Sequence, residues 1–404
     1  MKRLSFLLIF LPVFLVNAQE RADSLHNKSP EVVDSSLPNQ DNSGNTVSLG
    51  GQITGWSVFQ FSNPAHIQTG GRFVPSLLGN FNTGKHSKLD FEASLHLNGT
   101  LNFTGLDYSS KNGEISPYRV WLRYSTDRWE IRGGLQKINF GSAKMFRPLM
   151  WFDEMDVRDP LKLTNGVYGL LGKYFFENNA NIWVWGLIGN KNRKGWEFNG
   201  TEQWKPELGG RVELPVLKGE LGLSTNYRKV HAINLLSSKW NDYQVLNESR
   251  IGLDGKWDIG AGVWFESSTT ITQQNNIMIP RFQDMWNVGV DYTFPVGSGL
   301  GATVEYLRFH TGDRFFVEGT ALNLLGSMFT YSLSIMDNIS LMLFYVPGQN
   351  MLFNYASWSR TYDKWSIFAI GFWNPANSQL LSFQANSKNL FSGKGIQLMV
   401  SYNF

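Results

Sequence analysis

Apolar and polar positions alternate one for one along most of this chain. In KLDFEASLHLNGTLNF, Leu89, Phe91, Ala93, Leu95, Leu97, Gly99, Leu101 and Phe103 share one face. Lys88, Asp90, Glu92, Ser94, His96, Asn98, Thr100 and Asn102 share the other. A period of two predicts a strand with one greasy and one wet face. This run far exceeds the roughly 5–6 residues of a typical globular strand. Tyr118, Val120, Leu122 and Tyr124 repeat the pattern, as do Leu221, Leu223, Thr225 and Tyr227, and Trp286, Val288, Val290, Tyr292 and Phe294. The last ten residues, GIQLMVSYNF, carry the alternation to the final Phe404.

Long strands of this kind suit a tilted crossing of a bilayer. In hydrocarbon every backbone group must be paired, so such strands must close into a barrel without edges. The expected fold is all-β: a transmembrane, antiparallel, up-and-down barrel. With both termini on one side, the first five strands are predicted near 47–61, 71–81, 88–104, 117–125 and 128–138. Tight turns then fall at NTGKHS and STDR, and later at ENNA, PVLKG, GKWD, PVGSG, MDN and YDK. Longer connections near 191–205, 231–245 and 271–283 fall at the other end. The count comes to about 18 strands if 375–392 is a single loop, with 16 as the alternative.

Composition agrees with a barrel. Phe, Trp and Tyr number 29, 15 and 14, charged residues make up only 17%, and there are 40 glycines and no cysteine. The mean hydropathy of −0.23 is close to neutral. The competing reading is an all-β secreted soluble protein. A chain without cysteine excludes disulfides and cysteine metal sites. A net charge of +3 gives no case for a nucleic-acid partner. Lys2 and Arg3, an apolar run from Leu4 to Val16, and Val16-Asn17-Ala18 read as a secretory signal peptide over 1–18. Residues 19–46 are polar and aperiodic and read as a flexible arm, leaving 47–404 for the barrel. No run of 18 apolar residues follows the signal, so no membrane helix is expected.

Residues 139–165, NFGSAKMFRPLMWFDEMDVRDPLKLTN, form the longest connection. Parity puts them outside, between strands 5 and 6. The segment is too apolar for a loop in water, and long ordered loops are usually functional. It is expected to fold into the barrel and narrow the lumen, its apolar side on the wall and its charges facing the channel. The charged candidates are Lys144, Arg147, Asp153, Glu154, Asp156, Arg158 and Asp159, with Lys162 beside them. A cap over the mouth is the alternative. The next two strands, GVYGLLGKYFF and ANIWVWGLIGN, are apolar on both faces and call for such a cover. Trp183 and Trp185 could instead form a stacking track for sugars.

Candidate pore-lining residues on the inward face are Glu92, His96, Arg119, Arg123, Arg132, Arg211, Arg228, Arg250, Asp254 and Glu305, with Glu266 and Asp291. Arg119, Arg123 and Arg132 opposite Asp153, Glu154 and Asp156 would set a transverse field across the pore. Both signs are present, so no ion preference follows.

In combination, the signal, the period-two strands, the alternation of tight and long connections and the terminal YNF resemble Gram-negative outer-membrane porins. GGRFVPSLLGNFNTGKHSKLDFEASLHLNG and RGGLQKINFG are similar to the large porin-like and alginate-export-like barrels. The resemblance implies an outer-membrane location and passive diffusion of small hydrophilic solutes. It implies that residues 139–165 occupy the place of the constricting third loop, and that Tyr402 and Phe404 act as the signal for the barrel-assembly machinery. Outer-membrane lipid and a homotrimer are the other implied partners. The alternatives are a transporter for a larger or more hydrophobic solute, or a plugged structural or adhesive barrel. None of the six histidines lies in a nucleophile or metal-ligand motif. No enzyme activity, cofactor or metal is expected.

Overall fold

The computed structural model describes residues 45–233, 243–273, 280–315, 317–375 and 391–404. The signal expected over 1–18 lies outside them, as does the arm expected over 19–46 as far as residue 44; Thr46 already belongs to the first strand. Among the described residues nineteen strands follow in chain order: β1 (Thr46–Gln60), β2 (His66–Gly84), β3 (Ser87–Thr104), β4 (Asp107–Thr126), β5 (Trp129–Gln136), β6 (Val167–Phe175), β7 (Asn181–Leu187), β8 (Gly200–Thr201), β9 (Glu207–Val216), β10 (Gly219–Ile233), β11 (Tyr243–Asp258), β12 (Gly262–Thr272), β13 (Phe282–Phe294), β14 (Leu300–Arg314), β15 (Val317–Ser332), β16 (Asp337–Val346), β17 (Met351–Thr361), β18 (Trp365–Trp373) and β19 (Lys394–Asn403).

Each stave pairs antiparallel with the next. β7 pairs directly with β9, and β8 is a two-residue piece on the edge of β10. The ring therefore has 18 staves, closed by β1 against β19. Closure extends to the last residue. Gly51 and Phe404 exchange backbone hydrogen bonds at 3.2 and 3.1 Å, and the Phe404 ring stacks on Phe73 at 6.1 Å.

The strands depart from expectation mainly in length. β2 begins at His66 and β4 at Asp107, well before the residues where their own alternation becomes clean. The partner strand supplies the reason: Asn98 to Thr104 on β3 pair with Asp107 to Glu114, so a polar segment is held by the ladder rather than by burial. The turn expected at GKWD lies one step later, at 259–261, because Trp257 and Asp258 still pair with β12. MDN likewise gives way to a turn over 333–336, Asp337 opening β16. β18 and β19 pair directly with each other; the stretch expected as a single loop, 375–392, lies outside the described residues over 376–390.

The outer wall is apolar. On β19, Ile396, Leu398 and Val400 are exposed while Gln397, Met399 and Ser401 between them are buried inside. Trp286, Val288, Val290, Tyr292 and Phe294 form the same outward file on β13. Aromatic pairs edge the end that holds the termini: Tyr292 with Phe294 at 4.9 Å, Tyr174 with Phe176 at 4.8 Å and Trp365 with Tyr402 at 4.6 Å. An apolar belt bounded by aromatics is the surface of a barrel that sits in lipid. The core lies inside the ring, where it is built largely by two connections from the opposite end.

Candidate functional site

Residues 137–166 leave β5 and turn into the barrel. Ile138, Phe140, Phe146, Leu149, Met150, Trp151 and Phe152 are all buried. Near the chain's point of entry, Phe140 stacks on Trp185 at 5.7 Å and Phe152 meets the same ring edge-on at 5.3 Å. Trp185 is thereby covered, which accounts for the doubly apolar β6 and β7. Trp183 stays half-buried, with the Lys173 ammonium 3.7 Å from its ring. Farther along, Phe146 packs on Phe344 at 5.8 Å, inside a cluster that also holds Leu307, Leu324, Phe353 and Phe372. The connection thus bridges the barrel interior from β6 and β7 to β14–β18.

Two wall carboxylates fasten it. Glu305 on β14 receives the backbone N–H groups of Lys144, Met145 and Phe146, at 2.5, 3.1 and 3.0 Å. The same carboxylate accepts Trp264 Nε1 at 3.2 Å and Asn287 Nδ2 at 3.1 Å. Three successive N–H groups aimed at one anion form a nest. Hydrogen bonds to a charged acceptor contribute about 1.5–3 kcal/mol each, so this is the strongest polar anchor of the segment. Glu266 on β12 accepts Ala143 N–H at 2.9 Å and the N–H of Leu149. Gly141 permits this approach. Its φ is +97°, and a Cβ there would stand 2.5 Å from a Glu266 carboxylate oxygen. Trp151 Nε1 adds a bond to Ser268 at 2.9 Å.

The charged loop residues take distinct places. Arg147 and Asp153 are buried and paired with each other at 3.0 Å, and neither faces water as expected. The apolar stripe around them leaves no solvated side, so the two charges neutralise each other. Asp156 and Arg158 pair at 2.6 Å, and Arg158 lies over the rings of Tyr355 and Phe391 at 5.8 and 5.4 Å. Lys144 reaches Asp291 and lies 5.2 Å from the Trp264 ring. Glu154 is half-buried, and burial pushes its carboxyl up to about 7; Lys194 opposes this, while Glu197 and Asp153 add to it. Burial also raises Asp159, with Arg72 opposing. Burial lowers Lys162, helped by Lys144 and Arg147.

The inward residues likewise divide. Arg123 donates to Asp90 at 2.8 Å, and Arg132 to Glu130 at 2.9 Å. Both guanidinium groups lie against the Trp121 ring, whose Nε1 donates to Glu92 at 3.0 Å. Arg119 donates to the carbonyl of Thr164 at 2.7 Å. Arg119, Arg123 and Arg132 thus pair with wall or backbone groups. Arg211 pairs with Asp254 and Glu213. Arg228 and Arg250 are buried, sharing Glu248 and Glu197 at 2.7–2.8 Å. His96 is half-buried, 6.1 Å from the Tyr118 ring.

Glu197 belongs to a second folded-in connection, residues 188–206, expected only as an outside loop. Trp196 donates Nε1 to the Phe146 carbonyl at 2.9 Å and stacks on Phe309 at 5.8 Å. Gly195, at φ +47°, sits so close to the Met150 carbonyl that a Cβ would be 2.1 Å from it. The second connection thus clamps the first. It also covers Arg228 and Arg250, which is why these wall residues are dry. The legible signal was Trp196 and Phe198 inside an otherwise polar segment. Glu266 and Glu305 were placed on the inner face correctly, but nothing local marked them as anchors.

No protein-family model matches this chain, and no curated protein matches it. Solved structures do. Wzi of Escherichia coli, an outer membrane protein involved in group 1 capsule assembly and a carbohydrate-binding β-barrel, is 12% identical with a TM-score of 0.50, over 88% of this chain and 84% of its own. OccK5 (OpdH) of Pseudomonas aeruginosa is 10% identical with a TM-score of 0.50, over 89% of this chain and 98% of its own. An anion-selective porin from Comamonas acidovorans is 12% identical at a TM-score of 0.47, over 89% and 100%. At such identity the likeness to Wzi and OccK5 shows the fold alone, a closed antiparallel barrel of the outer-membrane kind.

Proposed function

We propose that this chain is an outer-membrane porin. Small hydrophilic solutes diffuse passively through a lumen narrowed by residues 137–166. The observation that carries the reading is the nest of Lys144, Met145 and Phe146 N–H groups on Glu305: a connection from β5 is fixed to the opposite part of the wall, well inside the ring. A loop meant to contact partners outside would not be tied there. The apolar, aromatic-edged outer wall supplies the membrane-facing surface.

In this reading the end holding the termini faces the periplasm. The signal at 1–18 delivers the chain, and the arm over 19–46 precedes the barrel. Tyr402 and Phe404 present the terminal aromatic signal to the assembly machinery, and the side chains along 137–166 set the constriction. Single-channel conductance of the purified protein in a planar bilayer tests the proposal. Steady conductance of a fraction to a few nanosiemens supports it. Silence from folded, inserted barrels refutes it and favours a plugged structural barrel.

A further inference from the structure

The inner wall has two chemically different halves. From β2 to β14 most staves carry charged inward side chains, among them Arg72, Asp90, Arg123, Arg211, Glu266 and Glu305. From β15 round to β19 and on to β1, none of the described inward side chains is charged. Leu324, Met328, Met342, Phe344, Phe368 and Met399 represent that half. Much of this surface is occupied by the folded-in connections. Trp56, Phe368, Met328 and Met342 remain only half-buried. Phe368, Met399 and Trp56 stand in register on β18, β19 and β1 as one continuous apolar row.

Where that row meets the charged half stands Arg72 on β2, its guanidinium 5.8 Å from the Trp56 ring centre. Most inward guanidinium groups have a carboxylate: Arg123 has Asp90, Arg211 has Asp254 and Arg228 has Glu248. Among the described residues the Arg72 guanidinium has no hydrogen bond or ion pair, and its Nε is buried without a partner. Asp159 acts on it only at longer range, and Glu114 stands in register two strands away across Asn98. Arg119 stands two strands away, its guanidinium 4.1 Å from the Tyr118 ring centre, bonded only to carbonyl oxygens. A buried donor without an acceptor is costly, and a guanidinium beside an aromatic face suits a planar anion with an apolar body.

We infer that this seam is a binding site for small amphiphilic anions, with a carboxylate-type head on Arg72 and an aromatic or alkyl body along Trp56, Met399 and Phe368. This deepens the porin reading and rests on a lumen that solutes can enter. The barrel's binding is tested apart from its conductance, by titration calorimetry in detergent with micelle blanks subtracted. Three probes separate the contributions: 3-phenylpropionate, propionate without the ring, and 3-phenylpropanamide without the charge. The expected result is 3-phenylpropionate binding about ten-fold or more tighter than either comparison probe.

Arg72→Gln should abolish that advantage, whereas Arg128→Gln, on an exposed turn, should leave it intact. Trp56→Leu should weaken 3-phenylpropionate and leave propionate unchanged. Equal binding of the three probes, no binding at all, or an unaltered Arg72→Gln would overturn the site. A barrel that binds as described but never conducts would keep the site and remove the porin reading.

Discussion

Phe146 N–H donates to Glu305 Oε2 at 3.0 Å, joining residues 159 positions apart in the chain. The bond belongs to the nest that holds the lumenal connection. Glu305→Ala should leave three N–H groups, two of them buried, without their acceptor. That costs on the order of 3 kcal/mol of local closure. Amide exchange at Met145 and Phe146 should then speed up by about two orders of magnitude, while the barrel keeps its heat-modifiable gel mobility. Unchanged exchange would show that the carboxylate is not the anchor.

Gly141→Ala addresses the second anchor. The substitution puts a Cβ against the Glu266 carboxylate and forces an L-residue to φ +97°. A penalty of about 1–3 kcal/mol is expected in the connection. The prediction is faster exchange at Ala143 and Leu149 with barrel unfolding in urea unaltered. An equal loss in both would mean that the glycine supports the barrel itself.

Trp196→Ala separates the two folded-in connections. It removes the ring from Phe309 and the donor from the Phe146 carbonyl. Truncation of a buried aromatic costs about 3–5 kcal/mol. Protease nicking should then appear within 188–206 and, more slowly, within 137–166. Cleavage confined to 188–206 would deny the clamp.

The pH dependence follows from Glu154. Its folded-state value of about 7 lies above the ordinary 4.5. The group therefore contributes stability that is complete below about 4.5 and is lost as pH rises through about 7. Closure of 137–166 should weaken between pH 5 and 8, read as growing conductance noise or faster amide exchange. Glu154→Gln should flatten that dependence; an identical slope in the variant would assign it elsewhere.

Much of this arrangement was legible from residue order. Period-two runs such as Leu89 to Phe103 and Ile396 to Val400 specified faces because one residue of slip would turn every side chain over. The parity set by Phe404 put 139–165 at the right end, and its buried Phe and Trp residues gave its inward fold. What stayed hidden depends on distant pairings. The polar start of β4 is a strand only because β3 pairs with it. Glu266 and Glu305 read as ordinary wall acids until residues 143–149 arrive above them. Arg147 and Asp153 looked solvated because their neutralising contact forms only once the loop is packed.

In the proposed porin, residues 137–166 set the constriction that solutes meet, with 188–206 folded in beside them. The most direct measurement is single-channel conductance in planar bilayers of the intact protein beside Glu305→Ala, both verified as folded. Steady conductance is expected for the intact chain and a larger, noisier conductance for the variant. Equal conductance would place the connection outside the solute path, and silence from both would contradict the porin.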